Sequence, residues 1–188
     1  MQRASGGQIM QRFLLLATAF GMLVCVGRAH AQAPQEQLTF SPWTKFCLKD
    51  KNAKEICFTG RDARDAVGKP ILAAVLIEPE GGQKKILRVT FPLGMQNTHG
   101  TRMILDHGLP ANMPFVGCIQ NGCMSDYKVT AKIIARFRKA KAITLQAFSM
   151  NGALLSVVMP LDDFAKAYDG PPTDPKIFEE QREKLQES

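Results

Sequence analysis

The side chains with the most chemistry to offer in this 188-residue chain are five cysteines, three histidines and a run of cations. Cys25 lies in an apolar leader, and the other four, Cys47, Cys57, Cys118 and Cys123, fall into two close pairs. Paired cysteines serve as disulfides, as zinc ligands or as exchanging thiols. Zinc sites are built from C-x(2-4)-C pairs joined by a second such pair or by histidines. Only Cys118-x4-Cys123 comes near that pattern, and His99 and His107 are not spaced as ligands on a helix. Thiol exchange asks for C-x-x-C at a helix start, where the dipole lowers a thiol pKa, and the chain has no such motif. An even set of cysteines in an exported chain reads as disulfides. Of three possible connectivities, the spacing favours the local one, Cys47 with Cys57 and Cys118 with Cys123. No metal and no cofactor is expected.

The same inventory limits hydrolysis. Beyond the leader only His99 and His107 can serve as bases, and each is followed by glycine in what reads as a turn between strands, with no G-x-S-x-G elbow. A carboxylate pair drawn from Asp106, Asp126 or a loop acid stays open as the alternative reading, a periplasmic hydrolase, although nothing in the spacing selects two acids.

The cations have a clearer pattern. From Lys128 to Lys141 there are six basic residues and no acid. If Thr130–Lys141 is a helix, Ile133, Ile134 and Phe137 form its apolar side, and Lys128, Lys132, Arg136 and Lys139 the opposite one. Such a face is either solvated surface or a docking site for phosphate head groups, anionic glycans or an acidic protein.

Export is read from residues 1–31, which hold Arg3, Arg12, Arg28 and no acid. They include a 14-residue uncharged run, Phe13–Val26, and end in Ala29-His30-Ala31. This order is a secretory signal with cleavage expected before Gln32, and the run is too short to span a bilayer. Initiation at Met10 in place of Met1 leaves that signal intact. Val24 before Cys25 is unsuited to a lipoprotein acylation site. Without the leader the charge falls from +7 to +4, with 21 basic and 17 acidic side chains. That balance and an exported location argue against nucleic acid as a partner. Residues 32–170 are expected to form one domain in the periplasm, outer-membrane associated or secreted, and residues 171–188 an acidic tail, helical or disordered.

The elements that must position these groups are short and mostly extended. Trp43–Leu48 and Glu55–Thr59 read as a hairpin stapled by the first cysteine pair, with Trp43 in the core beside it. Ile71–Ile77 reads as a buried strand. Ile86–Phe91 and Thr101–Asp106 alternate as half-buried strands do. Pro114–Cys118 reads as a strand entering a four-residue loop, Ile119–Gly122, which sets Cys118 opposite Cys123. Ile143–Met150 and Ala153–Met159 flank Asn151-Gly152, a hairpin signal. A second short helix, capped by Asp162, carries Phe164 and Tyr168 and stops at Gly170. A last one is expected between Thr173 and Gln186. The fold class is therefore an all-β, antiparallel, sandwich-like single domain with one or two short helices and two disulfides.

Several of these residues together resemble the invasion-associated locus B family, exported single-domain proteins of Gram-negative bacteria. The resemblance runs from Trp43 to Tyr168. It rests on Trp43 with Cys47 and Cys57, Pro92-Leu93-Gly94, Pro114-Phe115-x-x-Cys118-x-x-x-Gly122-Cys123, and Pro160-Leu161 leading to Phe164 and Ala167. It implies a sandwich-like domain in the periplasm or on the cell surface, without catalytic residues, and for some members a part in host-cell entry. The expected partner is accordingly an envelope or host macromolecule, anionic if the basic face binds it, with peripheral membrane contact as one form. The stretch after Gly170 resembles an addition to the family pattern.

Overall fold

A computed structural model of the chain describes residues 37–81, 84–174 and 176–177. The expected signal segment, Gly82 and most of the expected last helix lie outside the described residues.

Eleven strands and two helices form two antiparallel sheets among the described residues. In chain order they are β1 (Thr39–Phe40), β2 (Thr44–Lys49), β3 (Glu55–Arg64), β4 (Pro70–Pro79), β5 (Lys85–Phe91), β6 (Thr101–Leu105), β7 (Ala111–Met113), β8 (Gly117–Ile119) and β9 (Gly122–Val129). They are followed by α1 (Ala131–Phe137), β10 (Ala142–Phe148), β11 (Leu154–Pro160) and α2 (Phe164–Asp169). One sheet runs β1-β3-β4-β5-β9-β8, with β2 also beside β3; the other runs β11-β10-β6-β7. The expected class, all-β and antiparallel with one or two short helices and two disulfides, is the one observed, with two helices among the described residues.

The two-residue period of a strand explains which side chains meet between the sheets. Leu72, Ala74 and Leu76 of β4, with Leu87, Val89 and Phe91 of β5, are buried from one sheet; Ile143, Leu145, Val157 and Met159 are buried from the other. The Ile71–Ile77 strand differs from its reading, since Ile71, Ala73, Val75 and Ile77 are only half-buried. Its apolar run supplies one core face and one partly shielded outer face.

Trp43 is in the core as expected: it is 8% exposed and meets Phe164 edge-on at 5.1 Å between ring centroids. Its indole N–H donates to the Pro160 carbonyl at 3.1 Å. Phe164 also packs edge-on against Phe137 and stacks on Tyr168. One aromatic cluster thereby fastens both helices to the sheets.

Four local expectations are corrected. Pro114–Cys118 is not one strand: β7 belongs to the sheet of β6 and β8 to that of β9, so Pro114–Val116 crosses between sheets. Proline has no N–H for a ladder, while its carbonyl accepts from the Ser125 hydroxyl at 2.9 Å. The turn before Cys123 is also tighter than a four-residue loop. Ile119 pairs with Gly122, leaving Gln120 and Asn121 between them. Gly122 takes φ +128°, and a Cβ there would stand 2.2 Å from the Phe91 carbonyl oxygen, so only glycine fits. Helix α2 is preceded by Asp163 at φ +61° with no side-chain capping bond, not capped by Asp162. The fourth is the length of α1, which spans only Ala131–Phe137.

The chain crosses between the sheets at both ends. Val129 pairs with Lys85 at one end of β5, and from there α1 leads to β10. Cys123 pairs with Phe91 at the other end, where the chain continues to a bridge between Met95 and Ser149. The α1 end and the hairpin tip after β10 therefore lie at opposite ends of the sheets.

Candidate functional site

Both disulfides join residues that are direct cross-strand partners. Cys47 pairs with Cys57 between β2 and β3, and Cys118 with Cys123 between β8 and β9. Their Cα atoms are 4.0 and 3.9 Å apart and bonds join the sulfurs. Cys47, Glu55 and Cys57 bring possible ligand atoms within 4.8 Å of one another. The Cys47–Cys57 bond leaves no thiolate there to hold a metal.

Helix α1 is shorter than the Thr130–Lys141 expectation. Thr130 caps it, its hydroxyl accepting from the Ile133 N–H at 3.4 Å, and Ile134 and Phe137 are its buried residues. On the near side, β9 runs as far as Val129 because Cys123, Ser125, Tyr127 and Val129 alternate inward. That places Lys128 on the outer face of a strand. On the far side, the Asp106 carboxylate accepts from the Lys141 and Ala142 N–H groups at 2.9 and 3.2 Å and draws the chain into β10. Only Lys132 and Arg136, one turn apart, share the helix face, with Lys128 before it and Lys139 after it. All four side chains are exposed, and no carboxylate among the described residues forms an ion pair with them.

Arg138, a fifth cation of this run, is differently employed. It pairs with Asp169, and its guanidinium lies 5.0 Å from the centre of the Tyr168 ring. The Tyr168 hydroxyl donates to Glu78 at 2.9 Å, and the Lys85 ammonium donates to both groups. Burial pushes the Tyr168 phenol upward. Burial works to lower the Lys85 pKa, but its bonds to Glu78 and Tyr168 outweigh this and raise it. Lys45 closes the far end of α2 by donating to the Tyr168 and Gly170 carbonyls. This network fastens α2 to the first sheet. No local sequence pattern marks its members, because Tyr168 lies 83 residues from Lys85 and 90 from Glu78.

The acids considered for hydrolysis are engaged elsewhere. Asp126 forms a two-pronged pair with Arg88 at 2.8 and 2.7 Å, and this bond is the main cause of a raised Arg88 pKa. Asp106 holds the start of β10. His99 and His107 are exposed loop residues, His99 lying beside its neighbour Thr98 and against the Phe148 ring.

A sandwich with two cross-strand disulfides and this core agrees with the family suggested by the motifs. The family model described as Invasion associated locus B (IalB) protein matches residues 43–172. The chain belongs to the IalB family. Two relatives, invasion protein B homologs of Brucella abortus strain 2308 and of biovar 1 strain 9-941, are each 22% identical over 115 residues. Those matches cover 61% of this chain and 66% of each relative, just under two thirds of its length. The crystal structure of invasion associated protein B from Bartonella henselae is similar with a TM-score of 0.60 at 17% identity. The similarity covers 70% of this chain and 92% of that one, a likeness of fold. The IalB match takes in both cysteine pairs, α1 and α2.

Proposed function

We propose that this IalB-family chain is an exported, non-catalytic envelope or surface protein. It docks to an anionic macromolecule of the envelope or of a host surface through Lys132 and Arg136, flanked by Lys128 and Lys139. The observation that carries the reading is the set of four exposed cations without ion-pair partners among the described residues, at one end of the sheets. The apolar side of α1 supports it, because Ile134 and Phe137 hold the helix in place and leave its cations outward. Invasion-related roles enter through the family name and its relatives, and the periplasm through the basic, apolar, A-x-A order of the leader.

Exposed charges of one sign act over about a Debye length, roughly 8 Å at physiological salt. Their contribution falls mainly on the association rate and fades as salt is added. Changing Lys132, Arg136 and Lys139 together to Glu is expected to leave the fold intact and to weaken attachment. Cosedimentation with anionic and neutral vesicles, glycan binding and envelope pull-downs, each at low and high salt, separate lipid, glycan and protein partners. Equal attachment of parent and variant in all of them contradicts the proposal. Truncation after Thr173, which keeps the Thr173 N–H bond to the Lys45 carbonyl, strengthens attachment if the acidic tail competes for the cations. For export, N-terminal sequencing of protein from the cell envelope should begin at Gln32; a mature protein retaining Phe13–Val26 contradicts it.

A further inference from the structure

Strand β11 ends the second sheet, and among the described residues nothing pairs with its outer edge. Edge strands are normally kept from pairing with other chains by shortness, charge, proline, bulges or a covering segment. The other edges here have such devices: β1 has two residues, β7 and β8 have three each, and β2 carries Lys45 and Lys49 and receives the Thr173 N–H. β11 has seven residues in unbroken register with β10, and its one proline is the last of them. From Ala142 through Leu161, twenty residues contain no Asp, Glu, Lys, Arg or His. Leu154 and Val158 are each 50% exposed.

Backbone directions along β11 alternate. The Ala153 carbonyl accepts from Ser149 and the Leu161 N–H donates to Lys141, so the odd-numbered positions face β10. Even-numbered positions face the open edge. Pro160 confirms this, since its carbonyl is taken from that side by the Trp43 indole and the Arg61 guanidinium. The backbone groups left on the edge are those of Leu154, Ser156 and Val158, for which the described residues supply no partner.

We infer that β11 is a self-pairing edge, whose partner is β11 of a second copy in antiparallel, two-fold related contact. The free edge groups fit this occupant in one register. A two-fold axis through Ser156 sets Ser156 opposite Ser156 and Leu154 opposite Val158, so all the free edge groups satisfy one another. Shifting the axis to Val157 sets Leu154 against Pro160, which has no N–H and whose carbonyl is engaged. Shifting it to Leu155 sets Val158 against Gly152, whose N–H already donates to Ser149. The chosen register also places Leu154 on Val158 twice, and a neutral hairpin brings no like-charge repulsion to a copy of itself. This inference does not depend on the basic end.

Sedimentation equilibrium of the disulfide-bonded chain without residues 1–31 tests it, together with V158K, S156C and a V67C control in the β3–β4 turn, where Val67 is 83% exposed. The parent should dimerise with rising concentration. V158K should raise the dimer dissociation constant at least about tenfold. A short thiol cross-linker should join S156C chains to each other and V67C chains far less, because paired Cα atoms stand about 5.5 Å apart. Circular dichroism and intact mass confirm that each variant folds with both disulfides, and L154K replaces V158K if that variant does not fold. A parent that stays monomeric up to about 1 mM overturns the inference. So does a dimer that is insensitive to the edge lysine and whose S156C cross-linking is no greater than that of V67C.

Discussion

Tyr168 joins two kinds of interaction at one ring: it stacks on Phe164, and its hydroxyl lies between Glu78 and Lys85. The Tyr168 and Lys85 pKa values are both raised in the folded protein, so the fold binds these protons more tightly than the unfolded chain does. Their contribution is complete below the unfolded values, about 10 for tyrosine and 10.4 for lysine, and is lost as pH rises through the folded ones. Burial raises Tyr127 as well, its hydroxyl lying 2.7 Å from that of Thr101. Stability measured by urea unfolding should therefore fall above about pH 10. Y168F, which removes one of the linked protons, should fall less steeply between about pH 10 and 12. Parallel pH curves for the two proteins contradict the assignment. Nothing local in the sequence marks this network, because side chains that far apart are joined only by the stacking of β4 beside β5 and the return of α2 onto them. Trp43 was legible for the opposite reason, an aromatic side chain only four residues from a bridged cysteine.

At the scale of elements, the cysteine pairs were readable because disulfide geometry demands close Cβ atoms, and a hairpin supplies them between cysteines of nearby sequence number. Loop-closure arithmetic gives each bridge about 2 to 3 kcal/mol, the Cys118–Cys123 loop at the lower end because it is the shorter. Replacing Cys118 and Cys123 together by Ala should lower the urea-unfolding free energy by about 2 kcal/mol and leave the β circular dichroism spectrum in place. An unchanged unfolding free energy contradicts a stabilising role for the bridge. Element ends were less legible than their existence. Helical periodicity runs smoothly from Lys128 to Lys141 in the sequence, but β9 claims Lys128 through the burial of Val129, and Asp106, distant in sequence, claims Lys141. Tertiary bonds set the limits of α1, and a local pattern has no access to them. The same holds at the Pro114 crossover, where one apolar run is divided between two sheets.

For the whole molecule, the strand topology separates two surfaces of different character. Cations collect around α1, where β9 hands the chain to β10. The far hairpin tip exposes Phe148, Met150 and Leu154 instead. Family membership, the two bridges and the sandwich describe a stable module with a basic end. That this end attracts an anionic partner is tested by the association rate on an anionic surface as salt is varied, for the parent and for K132E/R136E/K139E. The parent rate should fall steeply with salt, and that of the variant should be slower and nearly salt-independent, with the two converging at high salt. Equal rates and equal salt dependence would show that the cations around α1 are only its solvated face.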